Sequence, residues 1–190
     1  MKIVIFASGS GSNAENIVNY FNGADTSIAA IFCNVAGAGV IQRAERLGIP
    51  IVVFNKQEWQ SGDRIDALLQ EMNPDLIVLA GFLWRFPQRL LLQFPHVVNV
   101  HPALLPKFGG KGMYGMKVHE AVVEAKEFES GITIHWVNEH YDEGAIIFQA
   151  KCQVQPSDSA QNVADKIHQL EGEHFPRIVE EVLKDIEQNP

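Results

Sequence analysis

The chain has 190 residues, 46% hydrophobic and 20% charged, enough for a sizeable core and too apolar for a disordered segment. Its formal charge of −8, from 15 basic and 23 acidic side chains, excludes a general surface for nucleic acid or anionic membrane but not a local pocket for one phosphate. Cys33 and Cys152 form no CxxC pair and no apolar run approaches spanning length, which argues against a disulfide framework, a cysteine zinc site and a membrane segment.

The start enters a strand directly, with no signal-peptide pattern, so a cytoplasmic location is expected. Residues 3–7 form an apolar run bounded by glycine, hence a buried first strand. The loop Ser8-Gly9-Ser10-Gly11-Ser12-Asn13 follows, and then a helix over 14–21 with Ala14, Ile17, Val18 and Phe21 on one face. A strand, a Gly/Ser loop and a helix start together present backbone N–H groups to an anion. Strands are expected at 28–34, 51–54 and 76–80, with helices at 40–47 and 64–72 between them. A helix at 87–94 leads into a strand that ends at Asn99 and His101. Such alternation implies parallel strands with helices on both faces.

The pattern changes after His101. Residues 107–115 (KFGGKGMYG) hold four glycines and no periodicity, as a long binding loop would. A helix over 116–125 and strands at 132–137 and 145–152 come next, the two strands joined as an antiparallel addition to the sheet. Ser157-Asp158-Ser159 caps a long C-terminal helical region, expected to break near Pro176. The fold class is thus α/β, an open, mostly parallel twisted sheet with an antiparallel C-terminal strand addition. One domain over 1–190 is expected, with a mononucleotide-binding half (1–100) and a half that completes the site (101–190).

Three constellations carry chemistry. Asn99 and His101 alternate along one strand, so both project to the same side at its carboxyl end, where open α/β sheets bind ligands. Read alone, Asn99 could equally cap a turn and His101 be an ordinary hydrogen-bonded loop histidine. Gly9-Ser10-Gly11-Ser12-Asn13-Ala14 fits the permissive dinucleotide pattern G-x-G-x-x-A, so a dehydrogenase competes with a phosphate site and with a plain tight turn. The dinucleotide reading wants an acidic residue at the end of the second strand, and Asn34 stands there instead. Asp142 sits before Gly144 in the last connection, either as a functional carboxylate or as a turn residue. His119, His135 and His140 match no metal-ligand spacing, and no metal is expected.

Four stretches occur in order: Ser8-Gly9-Ser10-Gly11-Ser12-Asn13, Leu79-Ala80-Gly81-Phe82, Asn99-Val100-His101-Pro102-Ala103-Leu104-Leu105-Pro106-Lys107 and Tyr141-Asp142-Glu143-Gly144. Together they resemble the phosphoribosylglycinamide formyltransferase family, folate-dependent transformylases with a Rossmann-like fold. The likeness spans nearly the whole chain. It implies transfer of a formyl group from 10-formyltetrahydrofolate to the amine of glycinamide ribonucleotide in purine biosynthesis. On that resemblance, Asn99, His101 and Asp142 are the catalytic trio. Gly9, Ser10, Gly11, Ser12 and Asn13 hold the ribonucleotide phosphate, and Glu171 contacts the ribonucleotide, with Glu173 standing two residues away. The folate pocket is lined by Phe82, Leu83, Trp84, Arg85 and Phe86, with Val98, Tyr141 and Glu143. His119 matches a loop histidine. Small-molecule partners only are implied, with a monomer or weak homodimer.

The chemistry suits these residue types. Attack of an amine on a formyl carbon creates an oxyanion to which the Asn99 amide and a protonated His101 can donate, each such donor being worth about 3–4 kcal/mol of barrier. Asp142 would favour the imidazolium and help move a proton between nitrogens through water. Where family members commonly continue Arg-Ile-Leu, this chain has Trp84-Arg85-Phe86, so a differently shaped pterin pocket is expected. Its 107–115 loop is also longer and richer in glycine than the usual form. Formyl-folate hydrolases, sugar-amine formyltransferases and a non-catalytic nucleotide-binding module are the alternatives. A tRNA formyltransferase would carry a further C-terminal domain and a less acidic surface.

Overall fold

The computed structural model describes residues 1–189. Seven strands form one sheet in the order β3-β2-β1-β4-β5-β6-β7: β1 (Lys2–Ala7), β2 (Ser27–Cys33), β3 (Ile51–Val53), β4 (Leu76–Leu79), β5 (Val97–His101), β6 (Glu129–Trp136) and β7 (Ile146–Gln153). The first five pair in parallel, β6 adds antiparallel to β5, and β7 adds antiparallel to β6. The helices are α1 (Ser12–Tyr20), α2 (Gly39–Leu47), α3 (Lys56–Ser61), α4 (Asp63–Met72), α5 (Gln88–Gln93), α6 (Met116–Glu124) and α7 (Ala160–Gln188).

The strands read as continuous apolar runs because both faces are covered. Along β1, Ile3, Ile5 and Ala7 enter a layer with Ile17, Val40, Phe175 and Val179, while Val4 and Phe6 enter the opposite layer with Phe32, Trp59, Ile65 and Leu90. The second layer is rich in aromatic rings, with Phe6 stacked on Phe32 at 4.9 Å between centroids. Each fully buried Phe, Leu or Ile of these layers contributes about 1.5–3 kcal/mol through water exclusion.

Two expectations need correction. Helix α3 lies where no element was expected, although Asn55 and Glu58 form the reciprocal capping box that announces it. The C-terminal region does not break at Pro176: α7 runs through it for 29 residues. A proline there removes the N–H that would bond to the Gly172 carbonyl, at a cost of about 3 kcal/mol. The buried face of the helix, with Val163, Ile167, Phe175, Ile178, Val179 and Val182 on both sides of the proline, outweighs that loss.

Candidate active site

Strand β1 has β2 on one side and β4 on the other, so the chain departs in opposite directions from their carboxyl ends. This is the switch point at which open α/β sheets form a crevice. A cavity of about 620 Å³ opens there. Its walls are the Gly9–Asn13 loop after β1, Phe82 and Leu83 after β4, the end of β5, the loop around Gly110 to Gly115, and one face of α7.

The first loop is shaped for an anion. Gly11 adopts a left-handed φ of 81° at the start of α1, and no side chain caps that helix, so its first-turn N–H groups stay open. A Cβ on Gly11 would meet Val40 of α2 at 2.6 Å, so the close approach of α2 requires glycine. Asn13 Nδ2–H donates to Glu171 Oε2 at 3.0 Å. Glu171 is only 6% exposed, and burial pushes its carboxyl up, opposed by the Asn13 hydrogen bond and by His168. Glu173, the alternative two residues away, is exposed and does not line the cavity.

At the end of β5, Asn99 and His101 both face the cavity. His101 Nε2 lies 2.7 Å from the Phe108 carbonyl, an acceptor, so that nitrogen carries the proton. Its Nδ1 is 3.5 Å from Asp142 Oδ2, which also accepts from Gly110 N–H at 2.9 Å. His135 pairs with Asn99 across β5 and β6. The His135 Nδ1–H donates to the Trp136 carbonyl at 2.8 Å, which leaves Nε2 to accept from Asn99 Nδ2–H at 3.1 Å. The amide of Asn99 is thereby turned so that its second N–H is free for the cavity. Asp142 Oδ1 stands 3.7 Å from the same His135 nitrogen, and its backbone takes a left-handed φ of 57°.

The electrostatics revise one expectation. Burial pushes the His101 imidazole below its ordinary pKa, although Asp142 and the Phe108 carbonyl pull the other way. Burial would raise the Asp142 carboxyl, but the neighbouring His135 and His101 imidazoles and the Gly110 N–H hold it below the usual range. At neutral pH the pair is therefore a carboxylate beside a neutral imidazole, not the preformed imidazolium. The unprotonated Nδ1 next to the carboxylate is poised to take up a proton.

All five residues of the Gly9–Asn13 loop, with Glu171, Phe82, Leu83, Asn99, His101, Tyr141 and Asp142, line this one cavity. Trp84, Arg85, Phe86, Val98 and Glu143 do not. Phe86 and Val98 are buried in the two hydrophobic layers, Trp84 packs edge-on against Phe54 in the aromatic layer, and Arg85 and Glu143 point to solvent. The chain turns at Gly81 (φ 77°), and of the five residues that follow, Phe82 and Leu83 reach the cavity. His119 and His168 enter the lining, His119 buried and with Nδ1 unpartnered. His168 stands one helical turn before Glu171, a spacing that would have found it. Among the described residues no group of three or more His, Cys, Asp or Glu is arranged to hold a metal ion.

The formyl transferase family matches residues 1–179. The chain belongs to it. This formyl transferase is 36% identical over 195 residues to the chloroplastic phosphoribosylglycinamide formyltransferase of Arabidopsis thaliana, covering 96% of this chain and 67% of the plant protein. It is 34% identical to the phosphoribosylglycinamide formyltransferase of Haemophilus influenzae, covering 94% of this chain and 85% of that one. The crystal structure of phosphoribosylglycinamide formyltransferase from Anaplasma phagocytophilum superposes with a TM-score of 0.88 at 30% identity, over 97% of this chain and 88% of the other. The seven-stranded sheet with its antiparallel end is the fold of that family. Among the described residues no helix is long and apolar enough to cross a membrane.

Proposed function

We propose that this formyl transferase moves the formyl group of 10-formyltetrahydrofolate to the primary amine of glycinamide ribonucleotide, a step of purine biosynthesis. The observation that carries the reading is one cavity holding an anion-ready helix start at one end and the Asn99, His101 and Asp142 cluster at the other. In this reading the phosphate sits on the Gly9–Asn13 loop and Glu171 accepts from ribose hydroxyls. The folate ring system lies between Leu83 and the Asp142 loop. No metal takes part.

The amine nitrogen attacks the formyl carbon, and a C–N bond forms as the carbonyl oxygen becomes an oxyanion. The free N–H of Asn99 donates to that oxygen. The proton released by the attacking nitrogen goes to His101 Nδ1, and Asp142 stabilises the resulting imidazolium. Collapse of the intermediate breaks the bond to the folate nitrogen, which takes the proton as it leaves. A general base of this kind contributes about 10²–10⁴-fold and an oxyanion donor about 10²–10³-fold. The chain works as one domain over 1–190, as a monomer or weak homodimer, in the cytoplasm.

The test is the absorbance change on conversion of 10-formyltetrahydrofolate, with and without glycinamide ribonucleotide. Turnover that requires the ribonucleotide and disappears in His101→Ala supports the proposal. Folate release without any acceptor points to a hydrolase, and binding without turnover points to another amine or to a sensor.

A further inference from the structure

Asn34 stands where a dinucleotide-binding chain carries its ribose-binding acid, yet its side chain is buried and turned inward. Its Oδ1 accepts from the Ser8 hydroxyl at 2.6 Å. Ser8, the residue immediately before the phosphate loop, is 5% exposed and does not line the cavity. Its hydroxyl accepts from Leu83 N–H at 2.9 Å, and its own backbone N–H donates to the Gly81 carbonyl at 3.0 Å. A hydroxyl has one proton. Because Leu83 N–H is a donor, that proton must go to Asn34, so the carboxamide has to present its oxygen.

The segment held in this way is a wall of the cavity. Gly81 turns the chain out of β4, and Phe82 drops its ring into the aromatic layer, 5.3 Å from both Phe6 and Trp59. Leu83 follows, 44% exposed and facing the cavity. Its backbone is tied to Ser8, just past the end of β1 and directly before the phosphate loop. Beside the Ser8 N–H bond to Gly81 and the packing of Phe82, the Leu83 backbone itself is tied to the anion-binding end of the cavity by one buried hydroxyl with one buried amide behind it.

We propose that Ser8, oriented by Asn34, is a positioning residue that sets the Leu83 wall for the folate co-substrate against the phosphate loop. The assignment rests on the folate reading of that wall given above. Loss of the hydroxyl leaves Leu83 N–H without its acceptor and lets the wall relax, while the phosphate loop, held by Gly11 packed on α2, keeps its shape. The co-substrate therefore suffers and the ribonucleotide does not.

The experiment measures dissociation constants of two probes, a non-reactive dideaza analogue of 10-formyltetrahydrofolate and glycinamide ribonucleotide, by calorimetry on the full chain. Ser8→Ala is expected to weaken the analogue about tenfold, the scale of one lost buried hydrogen bond, with ribonucleotide affinity within about twofold of the parent. Asn34→Leu, which removes the acceptor, weakens the analogue in the same direction. Asn34→Asp, which keeps an oxygen there, restores it to within about twofold. A merely structural role would lower the melting temperature and weaken both probes together. Unchanged analogue affinity in Ser8→Ala, equal weakening of both probes, or an Asn34→Asp variant as weak as Asn34→Leu overturns the proposal. If Ser8→Ala does not fold, the two Asn34 variants decide by the same criteria. Failure of the parent protein to bind the analogue at all removes the folate reading, and the positioning role with it. Binding by the parent that survives in every variant removes the positioning role alone.

Discussion

His119 offers a pH-dependent stability that the structure lets us size. Its imidazole sits on α6, 3% exposed, with Nδ1 unpartnered. Burial, reinforced by the nearby His168 and His101, pushes its pKa from 6.5 down to about 4. Between those two values the unfolded chain holds a proton that the folded chain refuses, so acid favours unfolding. The contribution is constant above pH 6.5 and is lost progressively as pH falls towards 4. At 1.36 kcal/mol per pKa unit, the interval of 2.5 between the two values corresponds to about 3 kcal/mol. His119→Leu removes the titration while keeping an apolar side chain of similar bulk. Urea unfolding followed by circular dichroism at steps from pH 7.5 to pH 4 gives both stability curves. The variant is expected to gain about 3 kcal/mol on the parent across that range, whatever its offset at neutral pH. The common contributions of His101 and Glu171 largely cancel in the difference. Parallel curves would refute the reasoning, because they would mean that the buried imidazole takes up its proton as readily in the folded chain as in the unfolded one.

Asp142→Asn should lower turnover by about 10²–10⁴-fold with little change in ribonucleotide affinity, measured by steady-state rates beside calorimetry. The same variant moves the acidic limb of the rate profile to lower pH, since Asp142 raises the His101 pKa; near-normal turnover would remove the carboxylate from the mechanism. Asn99→Ala removes the proposed oxyanion donor and should cost about 10²–10³-fold in kcat, with substrate dissociation constants nearly unchanged. Gly144→Ala places a Cβ 1.6 Å from the Trp136 carbonyl, so the Asp142 loop must move and kcat must fall even though no catalytic side chain is altered. Thr133→Val strips the Ala103 carbonyl of its donor and Leu105 N–H of its acceptor in a fully buried site, at a cost of about 1–3 kcal/mol in thermal or urea unfolding.

The sheet was legible because its signals are local and redundant. Apolar runs between Gly-rich turns mark buried parallel strands, and the period-2 split of β1 into two layers follows from pleating alone. Helix α3 leaves little trace in periodicity because its capping box introduces only six residues, too short for a periodic face. Pro176 misled for the opposite reason. A local rule predicts a break, and a tertiary packing face along α7 overrides it. At the site, Asn99 and His101 were legible as a pair by strand alternation, and Asn13 and Glu171 meet across 158 positions of sequence as the resemblance implied for one ligand. The side chains after Gly81 were not legible. Three of the five expected there lie outside the cavity lining, because side-chain direction after a turn at positive φ depends on torsion angles that residue identity does not specify.

What no side-chain reading could supply is the role of backbone in tuning the His101–Asp142 pair. The Phe108 carbonyl fixes a proton on His101 Nε2, and Gly110 N–H occupies one oxygen of Asp142. Both groups belong to the loop that composition marks only as glycine-rich and aperiodic. Their aim depends on torsion angles, a left-handed φ of 54° at Phe108 and 92° at Gly110, which residue identity permits but does not specify. The consequence is chemical. With Nε2–H committed to the loop, Nδ1 is the nitrogen left to exchange a proton, and it is the nitrogen that faces Asp142. A displacement of the loop that freed Nε2 would release the tautomer and unpair Asp142 from Gly110 in the same movement. Loop position and acid–base state are therefore one variable at this site, and a substitution that only loosens the loop should alter the pH profile of turnover before it alters binding of the ribonucleotide at the far end of the cavity.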